Sequence, residues 1–210
     1  MSHLIRKTFA VGPMQCNCTI LGNTQTKQAI IVDPGGDAEQ LLAQLRTLDL
    51  TVSMILHTHA HLDHFLAAGD IKAATGAPIA LHKADLFLWD MLEVQCDLFG
   101  VPYHPVPGPD HWLSDDEAID QQGQAIHTPG HTPGSMSFWF EEQQLLIAGD
   151  TLFRHSIGRT DLWGGDFAKI KQSITQRLFV LDEATTVIAG HGPETTIAEE
   201  LRQNPIQKMA

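Results

Sequence analysis

The feature that most constrains this chain is a short apolar run that leads straight into a cluster of histidines. Residues 52–64 read Val-Ser-Met-Ile-Leu-His-Thr-His-Ala-His-Leu-Asp-His. In extended backbone, residues two positions apart point to the same side, so His59 and His61 can bind one cation. Asp63 and His64 follow in other directions, which suits a second cation beside the first. Imidazole nitrogens with a carboxylate form the ligand set of zinc and, less exclusively, of iron or manganese.

Three further ligand-type residues lie downstream, each just beyond a small-residue turn or an apolar strand. They are His131, Asp150 and His191, and the residues directly before them are Gly130, Gly149 and Gly190. Glycine at these positions lets the backbone approach a crowded site without a clash at Cβ. Each residue alone would be read as a capping or surface group, and the histidine cluster alone as a surface loop. Seven ligand-type side chains in four strand-end loops instead predict one metal site.

Short apolar runs alternate with helical periodicity along the chain. Strands are predicted over residues 7–21 with a break at Gly12-Pro13, and over 29–32, 52–56, 78–82, 124–127, 136–140, 144–148 and 186–189. Helices are predicted over 38–48, 64–75, 86–99 and 166–181, followed by a polar terminal helix, with a loop over 101–115. Short buried strands that alternate with helices predict sheets covered by helices.

The two halves of the chain repeat one pattern. In the first half an apolar strand ends at Asp33, and a helix and a second strand lead to His59. In the second half the equivalent segments end at Asp150 and His191. Two such halves packed sheet against sheet make an α/β protein of four layers, an αββα sandwich, whose strand-end loops meet at one edge. No linker or low-complexity segment interrupts the pattern, so residues 1–210 are interpreted as one domain.

The composition narrows the class of function. The chain is 43% hydrophobic and 18% charged, with no apolar run long enough for a bilayer and no secretory pattern at its start. We therefore expect a cytoplasmic protein with no membrane partner. The three cysteines, Cys16, Cys18 and Cys96, lack the spacing of a disulfide framework and are predicted to be reduced thiols packed in the core. A net charge of -12 repels phosphate backbones, which argues against a nucleic-acid partner.

The histidine cluster and the three downstream ligand-type residues resemble the metallo-β-lactamase superfamily over nearly the whole chain. Carried over by position, the resemblance implies a first metal held by His59, His61 and His131, and a second held by Asp63, His64 and His191, with Asp150 bridging. It thus implies two divalent metal ions as cofactors. His61 stands where similar flavodiiron proteins carry an acid, which favours zinc over iron or manganese. A bridging aspartate instead of cysteine, without an export signal, speaks against a true β-lactamase.

Two further segments resemble the glyoxalase II branch of this superfamily, the hydroxyacylglutathione hydrolases. They are Ala-Gly-Asp-Thr-Leu-Phe at residues 148–153 and Ile-Gly-Arg-Thr-Asp at residues 157–161. The resemblance implies hydrolysis of glutathione thioesters such as S-D-lactoylglutathione, with Phe153 and Arg159 as substrate-binding residues. The chain departs from the usual pattern, because only a polar helix follows His191 and Tyr103 is its one tyrosine. We therefore expect a short single-domain relative without the usual C-terminal helical substrate domain.

The expected chemistry follows from the metals. They would share a water, yield hydroxide at neutral pH and polarise the acyl carbonyl. Asp63 and Asp150 are the predicted catalytic residues, which orient the nucleophile and take up its proton. A thiolate leaves with little acid assistance, since an ordinary thiol has a pKa of about 8.5. Two other functions stay open: a mononuclear-iron persulfide dioxygenase, which shares a Gly-Arg-Thr-Asp segment, and a metallo-hydrolase of another small substrate such as a lactone. A non-enzymatic metal-binding protein ranks last.

Several residues near these motifs have two interpretations. His57 precedes the cluster and either orients a ligand or packs in the core. Trp89, Phe99 and Trp163 either line a pocket or, by default, pack in the core. Arg154 either favours an anionic substrate or lies on the surface.

Overall fold

Two six-stranded sheets form the centre of the computed structural model, which describes residues 3–208. The first sheet contains, in spatial order, β1 (Leu4–Val11), β2 (Cys16–Asn23), β3 (Gln28–Val32), β4 (Thr51–Leu56), β5 (Ile79–His82) and β6 (His111–Leu113). The strands β1 to β3 pair antiparallel, and β3 to β6 pair in parallel. The break predicted at Gly12-Pro13 is the turn between β1 and β2.

The second sheet is built from the other half of the chain. Its six strands are β7 (Ala118–Ile119), β8 (Gly123–His127), β9 (Met136–Phe140), β10 (Leu145–Gly149), β13 (Thr186–Ala189) and β14 (Thr195–Thr196). Between β10 and β13 the chain forms a separate hairpin of β11 (Leu152–Phe153) and β12 (Ser156–Ile157). The spatial order of the sheet is β14-β13-β10-β9-β8-β7. Only β10 and β13 pair in parallel, as β3 and β4 do in the first sheet, which matches the repeat seen in the sequence.

Helices cover the outer face of each sheet. They are α1 (Ala38–Thr47), α2 (Ala68–Thr75), α3 (Leu86–Asp90), α4 (Leu92–Phe99), α5 (Phe167–Ser173) and α6 (Ile197–Gln203), with short 3-10 turns at Leu62–His64, Lys83–Asp85, Asp120–Gln122, Glu141–Gln143 and Pro205–Gln207. The first four pack on the first sheet and the last two on the second. Within residues 3–208, no helix is both long and apolar enough to span a bilayer.

The apolar strands are buried on both faces, which explains why they lack strict alternation. In β3, Ile30 and Val32 contact the second sheet, where they meet Phe138. Ile31, between them, points the other way and packs among the helices with Leu41. The order of layers is therefore helix, sheet, sheet, helix, and the predicted αββα sandwich is confirmed.

The helix predicted over 64–75 is wrong at its start. The chain makes a 3-10 turn at Leu62–His64, and α2 begins only at Ala68. Adjacent residues of a regular helix do not face each other. The tight turn instead brings Asp63 Oδ2 within 3.8 Å of His64 Nε2. The interruption therefore serves the geometry of the candidate site.

Three other predicted boundaries also differ. The helix predicted over 86–99 divides at Met91, whose ψ of 10° is not helical. The helix predicted over 166–181 leaves α-helical geometry at Ile174–Leu178, where it forms a π-helical turn. The loop predicted over 101–115 contains β6, because the last residue of that strand is buried between the sheets.

All seven candidate ligands lie on loops that follow strands at one edge of the sandwich. Four of them follow β4, and one each follows β8, β10 and β13. Neighbouring parallel strands deliver their following loops to the same edge, so residues far apart in the sequence come together.

Candidate metal centre

His59, His61 and His131, the first ligand group, bring three imidazole nitrogens together. His61 Nδ1 lies 3.1 Å from His59 Nε2 and 2.9 Å from His131 Nε2. Tetrahedral zinc with bonds of about 2.0–2.1 Å would separate its nitrogens by roughly 3.3 Å. The three nitrogens are therefore close to the spacing that a zinc ion requires.

The protonation of the first ligand group suits a cation. Burial, helped by the neighbouring histidines, lowers the pKa of His61 to about 3. Burial also lowers the pKa of His59, strongly, and that of His131. Metal ligands must be unprotonated, so these imidazoles are ready to bind an ion at neutral pH.

Hydrogen bonds orient two of the three imidazoles. His131 Nδ1 donates to the backbone carbonyl of Arg159 at 2.8 Å, which leaves the lone pair of Nε2 pointing into the group. Thr58 Oγ1 lies 3.1 Å from His59 Nδ1 and holds that ring from behind. Such partners fix the tautomer and direction of a ligating ring. His61 offers Nδ1, and its buried Nε2 has no hydrogen-bond partner within residues 3–208.

Asp63, His64 and His191, the second ligand group, adjoin the first. Asp63 Oδ2 lies 3.0 Å from His191 Nε2 and 3.8 Å from His64 Nε2. Asp150 spans both groups, because its Oδ1 lies 3.5 Å from His64 Nε2 and its Oδ2 lies 3.6 Å from His131 Nε2. His64 Nε2 and Asp150 Oδ1 are buried without a hydrogen-bond partner among the described residues. Buried polar atoms normally have partners, so these two fit a bound cation.

Asp33 supports both ligand groups from behind. Its Oδ2 accepts from His64 Nδ1 at 3.0 Å and from Thr58 Oγ1 at 2.6 Å, and its Oδ1 accepts from the Thr58 N–H at 2.8 Å. Thr58 in turn contacts His59, so one carboxylate reaches a ligand of each group. Asp33 adopts a left-handed φ of 52°, which is costly for a residue other than glycine. This backbone conformation occurs at the residue whose carboxylate contacts His64 and Thr58.

The carboxylates around the second ligand group favour a positive charge at its centre. Burial alone lowers the pKa of His64, but the carboxylates of Asp63, Asp33 and Asp150 raise it well above the ordinary value. Burial alone raises the pKa of Asp63, but His64 above all lowers it below the usual carboxyl range. Burial raises the pKa of Cys16 to about 12, so its Sγ contacts His64 Nδ1 at 3.5 Å as a neutral thiol. Either a proton or a metal ion can supply the positive charge.

Glycine is required beside the site at two of the three predicted positions, whereas a Cβ at Gly130 would instead meet the backbone of Ile170 in α5. A Cβ at Gly190 would lie 2.0 Å from Asp150 Oδ1 and 2.8 Å from His64 Cε1. A Cβ at Gly149 would lie 2.4 Å from Thr58 Oγ1. Any side chain at Gly190 would therefore displace two candidate ligands.

A pocket of about 540 Å³ opens beside the second ligand group and contains both predicted substrate-binding residues. Asp150, Phe153, Arg159 and His191 line it. The Arg159 guanidinium is exposed and binds Asp161 through two hydrogen bonds of 2.7 and 2.9 Å. A substrate carboxylate that binds Arg159 must therefore compete with Asp161.

The structure shows the contacts of the residues near the site that had two interpretations. His57 does both things expected of it: its Nδ1 donates to the His64 carbonyl at 3.2 Å, and its ring packs edge-on against Trp89. Trp163 lies 6.5 Å from the His61 ring and also packs on the core, whereas Phe99 is 41% exposed, so core packing is wrong for it. Arg154, beside the same pocket, pairs with Glu199 at 3.2 Å on the surface.

Three buried polar residues that were not predicted from the sequence support the site, namely Asp33, Asp85 and Gln95. Asp33 had a usable signal, because it directly follows β3 as Asp150 directly follows β10. Asp85 and Gln95 stand in a largely apolar helical stretch, and nothing in that pattern marks them. Burial raises the pKa of Asp85 to about 6, against the effect of hydrogen bonds from Thr132, Gly134 and Ala60.

Comparisons with known proteins extend this picture. The family model of the metallo-beta-lactamase superfamily matches residues 11–191, a range that includes every candidate ligand. The chain is 39% identical to hydroxyacylglutathione hydrolase GloC of Haemophilus influenzae, over 93% of this chain and 94% of that protein. Its fold is similar to that of the BLEG-1 B3 metallo-beta-lactamase, with 38% identity, a TM-score of 0.90, and coverage of 98% of this chain and 100% of that one. It is also similar to TTHA1623 in a di-iron-bound form, with 35% identity, a TM-score of 0.87, and coverage of 93% and 97%. The chain belongs to the metallo-β-lactamase superfamily.

Proposed function

We propose that this protein is a dinuclear metal-dependent hydrolase of small glutathione thioesters, with S-D-lactoylglutathione as the first candidate substrate. The observation that carries the proposal is the pair of adjacent ligand groups with Asp150 between them. Seven ligand-type side chains exceed what one tetrahedral site can use, which favours two ions. The name of the Haemophilus relative, a hydroxyacylglutathione hydrolase, supports the thioester substrate.

Zinc is the proposed metal, and the cytoplasm is the proposed location. Three buried imidazoles suit zinc well, although the di-iron neighbour makes iron the main alternative. The cysteines Cys16, Cys18 and Cys96 are buried free thiols, which is compatible with a reducing compartment. We also propose that residues 1–210 form one domain.

The proposed mechanism assigns a role to each part of the site. His59, His61 and His131 would hold the first ion, Asp63, His64 and His191 the second, and Asp150 both. When bound, the ions would lower the pKa of a water toward ~7 and polarise the thioester carbonyl. Asp63 and Asp150 would orient this water and accept its proton. Their side chains are 12% and 15% exposed, whereas that of His64 is fully buried, so the two carboxylates can reach the reacting group.

The pocket supports a substrate with an apolar and an anionic part. Phe153 offers an apolar wall, and Arg159 offers a guanidinium at the rim. A thiolate product needs little protonation by the protein, so thioester cleavage does not require a dedicated general acid in the pocket.

The test combines metal content with a substrate panel on the same protein. We expect about two metal ions per chain and hydrolysis of S-D-lactoylglutathione that is lost with the metals on chelation. A β-lactam belongs in the panel because of the BLEG-1 neighbour, and so do a lactone and glutathione persulfide with an oxygen electrode. Oxygen uptake with one iron bound, or full activity without any metal, would contradict the proposal. Preference for the β-lactam or the lactone would keep the metal site and replace the substrate.

A further inference from the structure

Buried side chains hold the loop that carries His59 and His61, in addition to one backbone bond of 2.7 Å from the Met136 N–H to the Thr58 carbonyl. The Ala60 N–H donates to Asp85 Oδ2 at 3.2 Å. The Ala60 carbonyl accepts from Gln95 Nε2 at 3.1 Å, and the Leu62 N–H donates to Gln95 Oε1 at 2.9 Å. Ala60 lies directly between the two histidines, so these bonds restrain the backbone of both.

Asp85 also holds the loop that carries His131. Its Oδ2 accepts from Thr132 Oγ1 at 2.7 Å, and its Oδ1 accepts from the Gly134 N–H at 2.6 Å. One carboxylate therefore connects the two loops that present the first ligand group. The packing is tight, because a Cβ at Gly134 would lie 2.7 Å from Asp85 Cγ.

Asp85 occupies the N-cap position of helix α3, yet its side chain does not bond to that helix. It stands directly before α3, where an aspartate side chain ordinarily accepts from the N–H groups of the first helical turn. Its side chain makes no such bond. It is fully buried, and a buried carboxylate is costly unless several donors bind it. All three of its donors belong to the two ligand-bearing loops.

We propose that Asp85, assisted by Gln95, is a positioning residue that fixes the geometry of the first metal site. The inference rests on the proposed metal assignment. Asp85 touches neither the candidate ligands' ring nitrogens nor the substrate pocket, and it acts by keeping the two loops in register. Metal sites tolerate bond-length errors of only about 0.2 Å, so a small shift of either loop lowers the affinity.

The test measures metal affinity of the full-length chain by zinc competition with a chromophoric chelator. Asp85→Asn keeps the shape of the side chain and removes one acceptor, and Gln95→Met removes both bonds to the histidine loop. Changes around metal ligands typically cost about 10–100-fold in affinity, and we expect a loss in that range for one of the two ions. The visible spectrum of the cobalt-substituted protein should change as well. Thr132→Val, a milder change, provides a folded variant if the others do not fold.

Glu200→Gln is the matched control. Glu200 is also fully buried and also accepts three bonds, from Thr195 Oγ1, Asn204 Nδ2 and the His155 N–H, at 2.6, 2.7 and 2.9 Å. It makes none of its hydrogen bonds to the two loops of the first ligand group. We expect it to destabilise the metal-free protein without changing zinc affinity by more than about twofold.

The outcomes separate this inference from the proposed function. Wild-type protein that binds two ions, together with Asp85, Gln95 and Thr132 variants of unchanged affinity and spectrum, would overturn the inference alone. Equal losses in the control and the three variants would assign Asp85 a purely structural role and overturn it too. Wild-type protein that binds no metal would overturn the proposed function and the inference with it.

Discussion

The two candidate ligand groups differ in charge and in exposure. The first consists of three imidazoles, all nearly fully buried. The second contains a carboxylate, and its His191 side chain is 29% exposed. A group without charge binds a cation only through well-aimed lone pairs, whereas a carboxylate attracts the cation at longer range. We infer that the metal affinity of the first group depends on rigid loops, whereas that of the second depends on the charge of its carboxylate.

The residues that hold the two ligand groups in place differ in the same way. The first is held by the bonds of Asp85 and Gln95 to the backbone of its loops. In the second, His64 lies against the Asp33 carboxylate and the Cys16 thiol. Asp150 lies between the two groups, and Asp33 lies behind them, where it contacts His64 directly and His59 through Thr58. Changes at these shared carboxylates should therefore affect both ions, and changes elsewhere mainly one.

The largest effect is expected for Asp150→Asn. The change keeps the size of the side chain but removes the charge that both ligand groups share. We expect kcat for thioester hydrolysis to fall by about 10²–10⁴-fold, as is typical when a group that accepts a proton is lost, with a loss of metal. Steady-state kinetics and metal analysis of the same samples measure both. A variant with normal metal content and normal kcat would show that Asp150 is not the bridge.

The Asp85 and Asp63 carboxyls should contribute to stability with opposite dependence on pH. Burial raises the pKa of Asp85 from 3.8 to about 6, so its protonated form favours the folded state. Metal-free protein should therefore lose stability from this group as pH rises from about 4 to about 6, by about 3 kcal/mol at most. The pKa of Asp63 is lowered, so its contribution is instead lost as pH falls below its unfolded value of 3.8.

Asp85→Asn separates these effects, because the amide does not titrate. Chelator-treated wild type and variant, unfolded with urea at several pH values between 4 and 7, should differ in slope over this range. The free energy of unfolding of the wild type minus that of the variant should decline as pH rises from about 4 to about 6, because only the wild type carries the Asp85 carboxyl. Parallel curves would mean that Asp85 does not titrate with a raised pKa.

His191→Ala should affect the second ion alone. Loss of one imidazole should lower the affinity for that ion by about 10–100-fold and bring the metal content toward one per chain. Thioester hydrolysis should fall sharply, and oxygen uptake with glutathione persulfide should be negligible in both proteins. The matched change in the other group, His59→Ala, should remove the first ion. Full activity of His191→Ala, with one iron bound and oxygen consumed, would refute the hydrolase assignment.

The sequence predicts the fold and the candidate ligands better than it predicts their supports. Histidine and aspartate after apolar strands signal metal binding by their own chemistry, and the repeat of strand pairs indicates the two sheets. Asp85 has no such signal, because its role is defined by donors that arrive from Thr132, 47 residues away. The support of His131 by Arg159 is also invisible in the sequence, since the backbone carbonyl of any residue could supply it. The 3-10 turn at Leu62–His64 is not predicted, because a short apolar pattern does not distinguish a 3-10 turn from the first turn of an α-helix.

The smallest expected effect is on substrate binding and comes from a change at Arg159, which belongs to neither ligand group. Arg159→Ala should raise KM for S-D-lactoylglutathione more than it lowers kcat, and a thioester without glutathione should be nearly indifferent to the change. Exposed ion pairs contribute less than about 1 kcal/mol, so the change in KM should be about fivefold. Asp161→Asn is the matched control: it frees the guanidinium that Asp161 now binds and should lower KM. If Arg159→Ala harms both thioesters equally, the side chain stabilises its loop, and only the carbonyl that orients His131 would connect Arg159 to the site.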